Sequence, residues 1–144
     1  MKGIKNLKNS EKNYGDKTKG DLITVSMLRE ADAKFNRFCE KIEQYSGLVV
    51  AFSGGVDSTF LIKVAIEILG EKAIALTVIS PYIAQWEIEE ARELTNHLGI
   101  NHRFIEVGIP EEIQNNPVDR CYLCKGKIFG TIKAFASEMG IDVV

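Results

Sequence analysis

One stretch of the sequence reads Leu48-Val49-Val50-Ala51-Phe52-Ser53-Gly54-Gly55-Val56-Asp57-Ser58-Thr59. It begins with an apolar, β-prone run, continues with two glycines and ends where a helical pattern starts. A strand, a tight turn and a helix start bring backbone N–H groups and the positive end of a helix dipole to one place, and this geometry binds anions. The two glycines allow backbone conformations that other residues avoid and a close approach to a ligand. Hydroxyl groups are added by Ser53, Ser58 and Thr59, and either of the last two is expected to cap the helix. The segment therefore predicts a phosphate-binding turn.

Two widespread phosphate-binding motifs do not fit this turn. A Walker A loop has four residues between its glycines and then Gly-Lys-Ser/Thr, whereas the first lysine after these glycines is Lys63, inside the predicted helix. The dinucleotide-binding fingerprint needs a third glycine to close the turn. A plain strand-to-helix turn without a ligand is the remaining alternative, and it does not account for three hydroxyl groups and an aspartate.

The composition is that of an ordinary globular domain. The chain has 144 residues, of which 45% are hydrophobic and 26% charged, which is enough for one domain with a core. We expect neither a membrane-spanning segment nor a signal sequence. A formal net charge of −2 provides no net attraction to nucleic acid. Three cysteines, two of them in a Cys-x-x-Cys, suit a reducing compartment, so the expected location is the cytoplasm.

Strand and helix patterns alternate along the chain. Residues 1–20 are polar and indicate a flexible tail, and residues 21–144 indicate one domain. Helical spacing and apolar runs predict helices at about 25–45, 60–69, 88–98 and 128–139, and strands at about 48–52, 73–79, 102–107 and from 141. This alternation predicts an α/β fold, a doubly wound parallel sheet in a Rossmann-like three-layer sandwich, with the ligand at the carboxyl ends of the strands. Because a domain rarely ends where a buried strand begins, we expect a fragment whose C-terminal part is missing.

The turn resembles the SGGxDS PP-loop of the N-type ATP pyrophosphatases in the residues Ser53-Gly54-Gly55-Val56-Asp57-Ser58. In that family ATP is cleaved between its α and β phosphates, so that a carboxyl or carbonyl oxygen is adenylated and pyrophosphate leaves. The resemblance implies that the pyrophosphate part of ATP binds to Ser53, Gly54, Gly55, Val56, Asp57, Ser58 and Thr59. It implies that adenosine is flanked by Ala51, Phe52, Val78, Ile79 and Ser80. The alternative for Val78 and Ile79 is a core position, which is compatible with that role.

Asp57 cannot itself attract phosphate. It is expected to fix the loop by accepting N–H bonds or to help to hold Mg²⁺, and a plain capping role is the alternative.

A second candidate site lies in Asn116-Pro117-Val118-Asp119-Arg120-Cys121-Tyr122-Leu123-Cys124-Lys125. The proline and the aspartate indicate a turn into a helix, which places Cys121 and Cys124 on one face of its first turns. The helix N-terminus and the flanking Arg120 and Lys125 favour the thiolate form. Because zinc or an iron–sulfur cluster takes three or four ligands, two sulfurs do not complete a site. A structural zinc site, a redox pair and a sulfur-chemistry site all stay open.

Together the PP-loop and the later Pro-x-x-Arg-Cys-Tyr-x-Cys-Lys pattern resemble the LarE family of ATP-dependent sulfur transferases, over roughly residues 48–144. Members adenylate a carboxylate of a pyridinium biscarboxylate mononucleotide and replace its oxygen with sulfur, for the nickel-pincer cofactor. The resemblance implies that the catalytic residues Lys125 and Arg120 contact phosphates or the adenylated intermediate; the alternative is a solvated helix charge. Some members donate the sulfur of their own cysteine, and others pair a Cys-x-x-Cys with a downstream cysteine around an iron–sulfur cluster. Cys121 and Cys124 fit the second kind.

The expected function is therefore adenylation with ATP and Mg²⁺ for sulfur transfer to a small-molecule carboxylate. Two alternatives within the superfamily are an amidating ligase such as NAD synthetase, which gives the cysteine pair no role, and a tRNA thiolase. An alternative from another class is a nucleotide-binding module without catalysis, and the intact loop motif argues against it. The sequence leaves open whether several copies assemble into a homo-oligomer.

Overall fold

A computed structural model describes residues 19–141 and 143–144. Its main elements are α1 (Lys19–Glu43), β1 (Leu48–Ala51), α2 (Val56–Leu69), β2 (Ala73–Ile79), α3 (Gln85–Leu98), β3 (His102–Glu106) and α4 (Arg120–Glu138). Short 3-10 turns lie at Gly70–Lys72 and Glu111–Ile113. The predicted elements between residues 48 and 139 are all present, within a few residues of the expected bounds, except that α2 and α4 begin earlier. Helix α1 also begins earlier than expected, at Lys19, and most of the predicted tail lies outside the described residues.

The strands form a parallel sheet, as the alternating pattern predicts. In the described part of the chain its order is β1-β2-β3. Leu48 is paired with Ala73 at the start of β1, and Ala75 with His102 at the start of β3. All positions of the central strand β2 except the last are buried, which explains its almost uninterrupted apolar sequence.

The segment from 141 onward is not assigned as a strand in its described residues. Nevertheless, the Val49 N–H donates a hydrogen bond to the Val143 carbonyl at 3.0 Å. The chain therefore returns to the edge of β1 that faces away from β2. With β2 on one side of β1 and Val143 on the other, the carboxyl end of β1 is a switch point of the kind at which open α/β sheets bind ligands.

Helices cover both faces of the sheet. Alternate strand residues point to opposite faces, so Val50 and Ala75 pack on the side of α1, α2 and α3, whereas Val49 and Leu76 pack against α4. Two separate apolar clusters result, one above and one below the sheet. This is the expected three-layer, doubly wound arrangement. In the part of the chain that the structure describes, no helix is both long and apolar enough to span a bilayer.

Candidate functional site

The loop after β1 turns sharply into α2. The Phe52 N–H still donates to the Leu76 carbonyl at 2.9 Å, so the strand pairing continues one residue beyond Ala51. Gly54 then adopts φ +79°, in the left-handed region that side chains disfavour. Gly55 is the N-cap of α2. The first helical hydrogen bond of α2 runs from the Thr59 N–H to the Gly55 carbonyl at 3.0 Å. The three preceding N–H groups therefore face outward at the positive helix end, ready for an anion.

The three hydroxyl groups fix the loop from inside. Ser53 Oγ accepts a hydrogen bond from the Gly55 N–H at 3.3 Å and lies 3.3 Å from Ser58 Oγ. Ser58 Oγ and Thr59 Oγ1 both donate to the Gly55 carbonyl, at 3.0 and 2.9 Å. The expected capping of the helix by Ser58 or Thr59 is therefore wrong. Both residues lie within the first turn, and their hydroxyl groups bond backward to a carbonyl while Gly55 takes the cap position without a side-chain bond.

Asp57 has an exposed side chain on α2. Within the described residues its carboxylate makes no hydrogen bond, so the loop is held by the hydroxyl groups and not by Asp57. Together with Ser58 it lines a groove that also contains Val143. The expected role in holding Mg²⁺ stays a prediction.

A cavity of about 220 Å³ opens beside the loop, at the carboxyl ends of β1 and β2. Four of the predicted adenosine or loop positions line it, namely Ala51, Phe52, Ser53 and Val78. Ile79 and Ser80 instead line the neighbouring depression, between the ends of β2 and β3. The remaining wall of the cavity is mostly apolar and comes from β2, α3, α4 and the loop before α3: Leu76, Thr77, Ile83, Glu87, Ile88, Ala91, Ile128 and Ile132.

Helix α3 supports the loop from behind. A Cβ atom placed on Gly54 would lie 3.8 Å from both the Cα and the Cβ of Ala91. The small side chain of Ala91 allows this approach. Glu87, one turn earlier on the same helix face, reaches the cavity wall. Helical spacing in the sequence marks Ile88 and Ala91 as buried positions, but it contains no signal that distinguishes Glu87 from the other glutamates of α3.

A buried hydrogen-bond network lies behind the cavity. Thr77 Oγ1 donates to the Phe52 carbonyl at 2.8 Å, and His102 Nε2 lies 2.8 Å from the same hydroxyl oxygen. His102 Nδ1 lies 2.8 Å from Thr95 Oγ1. Because the Phe52 carbonyl can only accept, a neutral ring with its proton on Nε2 donates to Thr77, which leaves Nδ1 as an acceptor. The Thr95 hydroxyl has one proton, which it shares between His102 Nδ1 and the Ala91 and Arg92 carbonyls, at 2.9 and 3.0 Å. The network thus connects the residue before the PP-loop to β2, β3 and α3.

The surroundings of His102 keep its ring neutral. Burial of the ring and, to a lesser extent, the nearby Arg92 guanidinium lower the pKa of His102 from its ordinary value of 6.5 to about 4. Phe52 meets the ring edge to face, with centroids 5.3 Å apart, and Phe104 lies on another side at 4.2 Å. Sequence reasoning missed this network, because its members are far apart in the chain and none of them belongs to a motif.

The cysteine pair lies in the first turns of α4, as expected. Cys121 is exposed and Cys124 is half-buried. Residues three, four or seven apart share a helix face, so both cysteines lie on the same side of α4 as Ile128 and Ile132, which line the cavity. A helix that crosses back between parallel strands begins at their carboxyl edge. The thiols are therefore at the same edge of the sheet as the loop.

The two basic residues of this segment are both exposed. Arg120 Nη1 donates to Asn116 Oδ1 at 2.6 Å, and Asn116 adopts φ 52°. The expected contacts of Arg120 and Lys125 with phosphates stay predictions. Across residues 19–141 and 143–144, no three or more His, Cys, Asp or Glu side chains are grouped as metal ligands. Cys121 and Cys124 thus provide only part of the donor set that zinc or an iron–sulfur cluster needs.

Comparisons with known proteins agree with this geometry. The NAD synthase family model matches residues 31–123, a span that contains the loop, the cavity residues of β1, β2 and α3, and Cys121. The glutamine-dependent NAD⁺ synthetase of Acinetobacter baumannii, solved with ADP, has a similar fold at a TM-score of 0.57 and 20% identity, covering 72% of this chain and 22% of that one.

Two curated relatives are similar in sequence. An uncharacterized protein of Synechocystis is 35% identical over 73% of this chain and 41% of its own length. The pyridinium-3,5-bisthiocarboxylic acid mononucleotide synthase of Lactiplantibacillus plantarum is 30% identical over 67% of this chain and 36% of its own length. The chain thus spans less than half the length of each relative.

Proposed function

Because the chain belongs to the NAD synthase family of PP-loop, ATP-using enzymes, we propose that it binds ATP at the Ser53–Thr59 loop and adenylates a small-molecule carboxylate. The observation that carries this proposal is that a turn with outward-facing N–H groups at a helix start lies immediately beside an apolar cavity. Pockets for drug-sized ligands begin at roughly 300 Å³. A cavity of about 220 Å³ therefore suits a base, while the phosphates lie outside it, on the loop.

The loop is suited to hold the leaving group of the reaction. A carboxylate oxygen attacks the α-phosphorus, the bond from the α-phosphorus to the bridging oxygen breaks, and the electron pair leaves with pyrophosphate. The outward N–H groups at the start of α2 and the helix dipole stabilise the charge that accumulates on pyrophosphate. Mg²⁺ would neutralise phosphate charge at this place, and the exposed carboxylate of Asp57 is the loop residue suited to hold it.

The proposed second half-reaction is sulfur transfer. Hydrosulfide from a sulfide donor, held at the cysteine pair, displaces AMP from the adenylated carboxyl carbon, so that a C–S bond forms, the C–O bond to AMP breaks and the free thiocarboxylate is the product. Support comes from the position of Cys121 and Cys124 on the cavity side of α4, and from the 30% identity to an enzyme whose product is a thiocarboxylate. We propose a pyridinium carboxylate mononucleotide as the acceptor. Zinc or an iron–sulfur cluster on this pair would need further ligands from outside the described residues.

The adenylation step is tested by incubating the protein with ATP, Mg²⁺ and pyridinium-3,5-biscarboxylic acid mononucleotide. We expect one pyrophosphate for each carboxylate adenylated, with the AMP group found on the adenylated substrate until a nucleophile displaces it, measured by chromatography of the nucleotides and an enzymatic pyrophosphate assay. Release of ADP and phosphate instead would contradict adenylation. ATP binding without any turnover would favour a binding module without catalysis.

The sulfur-transfer step is tested with Cys121→Ser and Cys124→Ser variants. Both cysteines lie in an accessible helix turn, so we expect these variants to fold and to release pyrophosphate as the unmodified protein does. Thiocarboxylate formation, followed by mass spectrometry, should be lost. A double variant that still forms thiocarboxylate at the full rate would remove the cysteines from the mechanism.

Amidation is the second candidate function. It is favoured by the family model itself, whose match ends at residue 123, before Cys124. Here ammonia would displace AMP from the adenylated carboxylate, and the cysteines would have no role. NAD formation from its deamido precursor, ATP and ammonium, at the same rate in the double cysteine variant, would establish amidation as the function.

A further inference from the structure

Glu87 is an unusual member of the cavity wall. The other lining side chains are apolar or carry a hydroxyl, and among the residues that the structure describes Glu87 is the only ionisable one in this wall. Its side chain is exposed, which places the carboxylate at the rim and not among the buried apolar groups. A carboxylate at the rim of an otherwise apolar cavity is a hydrogen-bond acceptor for a polar part of the ligand.

The position of Glu87 along α3 indicates which polar part of the ligand its carboxylate contacts. Ala91 is level with the loop, 3.8 Å from where a Cβ of Gly54 would lie. Glu87 is one turn nearer the start of α3 on the same face, so it lies further out toward the carboxyl edge of the sheet. The apolar wall inside suits the base, and the loop suits the phosphates. The sugar, which joins the two, belongs at the rim between them.

Charge excludes direct contact of this carboxylate with the phosphates, since like charges at close range repel. A carboxylate is an acceptor with two oxygens, and vicinal sugar hydroxyls are a pair of donors. We propose that Glu87 accepts hydrogen bonds from the 2′- and 3′-hydroxyls of the ribose and selects ribonucleotides over deoxyribonucleotides. This inference rests on the proposed function, because it presumes that ATP is the ligand of the cavity.

The test is isothermal titration calorimetry of the protein with ATP, 2′-deoxy-ATP and 3′-deoxy-ATP, in the presence of Mg²⁺ and without a carboxylate substrate. Hydrogen bonds to a charged acceptor correspond to about a tenfold change in affinity. We therefore expect the unmodified protein to bind ATP about tenfold more tightly than either deoxy analogue. In Glu87→Ala the preference should fall to near unity, because ATP loses two hydrogen bonds and each deoxy analogue loses only the one that it still makes. Glu90 is an exposed glutamate of the same helix outside the cavity wall, so Glu90→Ala is the matched control and should keep the preference.

The possible results separate the role of Glu87 from the proposed function. ATP bound with no discrimination against the deoxy analogues overturns the role of Glu87 and leaves the proposed function standing. No binding of ATP by the unmodified protein overturns the proposed function itself. If Glu87→Ala instead removes a preference for ATP over inosine triphosphate and leaves the ribose preference unchanged, the carboxylate reads the base and the inference is wrong.

Discussion

Gly54 is the residue on which the loop depends most directly. Gly54 has a φ of +79°. There is enough space for a methyl group at this position, since the nearest atoms, in Ala91, lie 3.8 Å from where a Cβ on Gly54 would be. The obstacle to substitution is therefore the backbone conformation and not a steric clash.

We expect Gly54→Ala to lower the free energy of unfolding by about 1–2 kcal/mol, because a non-glycine residue is strained in the left-handed region. ATP binding should weaken as the loop relaxes toward negative φ. Gly126→Ala is the matched control, because a Cβ there meets no atom within 4 Å and alanine favours a helix by up to about 1 kcal/mol. Urea unfolding and ATP titration of both variants check the prediction. Equal stability of the two variants would contradict it.

His102 should make stability depend on pH. The pKa of His102 is lowered from 6.5 to about 4 in the folded protein, so between these values the unfolded chain binds more protons than the folded one. Stability therefore decreases as pH falls from about 6.5 toward 4. For a half-buried ring screened by solvent we expect a contribution of about 1–2 kcal/mol.

Urea unfolding at pH 7 and at pH 5 measures this effect. The control is His102→Gln, which keeps hydrogen-bonding groups and does not titrate in this range. The pH dependence of the variant should be smaller than that of the unmodified protein by the histidine contribution. An identical pH dependence in both proteins would exclude His102 as its source.

Some residues of the candidate site can be recognised from the sequence, and others cannot. The loop is recognisable because its strand, glycines and hydroxyl groups are contiguous in the chain. The sequence does not reveal the positions of Glu87, Thr77 and His102, because their roles depend on which side chains the fold brings together. The capping prediction for Ser58 and Thr59 is wrong, since their hydroxyl groups are drawn to the Gly55 carbonyl behind them.

At the scale of elements, α4 presents two features on one face. Toward its start the cysteines reach the carboxyl edge of the sheet, and further along Ile128 and Ile132 close the cavity. Apolar periodicity predicts such a helix well, because burial of one face is a local pattern. The helix starts are less predictable, and α1 begins several residues before its apolar stripe.

Ile132 should be the position where α4 contributes most to stability, since only 1% of its side chain is exposed. We expect Ile132→Ala to cost about 2–4 kcal/mol of unfolding free energy through lost burial and a residual cavity. The exposed neighbour Lys133→Ala should change it by less than about 0.5 kcal/mol. Chemical denaturation of both variants provides the comparison, and a loss below about 1 kcal/mol for Ile132→Ala would show that the helix packs loosely.

At the scale of the whole molecule, the doubly wound sheet follows from the alternation of strands and helices. The return of the chain to β1 is not visible in that alternation, because it depends on the direction in which each connection crosses the sheet. The return defines the switch point beside the loop. The proximity of the apolar cavity, the loop and the cysteine-bearing helix is thus a property of topology and not of any one motif.

Because the Val49 N–H is hydrogen-bonded to Val143, exchange of this one amide proton reports on the edge of β1 that faces away from β2. Successive N–H groups of a strand point to opposite neighbours, so Val49 faces residue 143 at 3.0 Å while Phe52 faces β2. In hydrogen–deuterium exchange we expect the Phe52 amide to exchange only when the sheet opens. The Val49 amide should exchange whenever the segment around Val143 lifts away. Equal protection of the two amides would mean that this segment and the sheet open as one cooperative unit, and faster exchange at Val49 would measure how often the β1 edge is exposed.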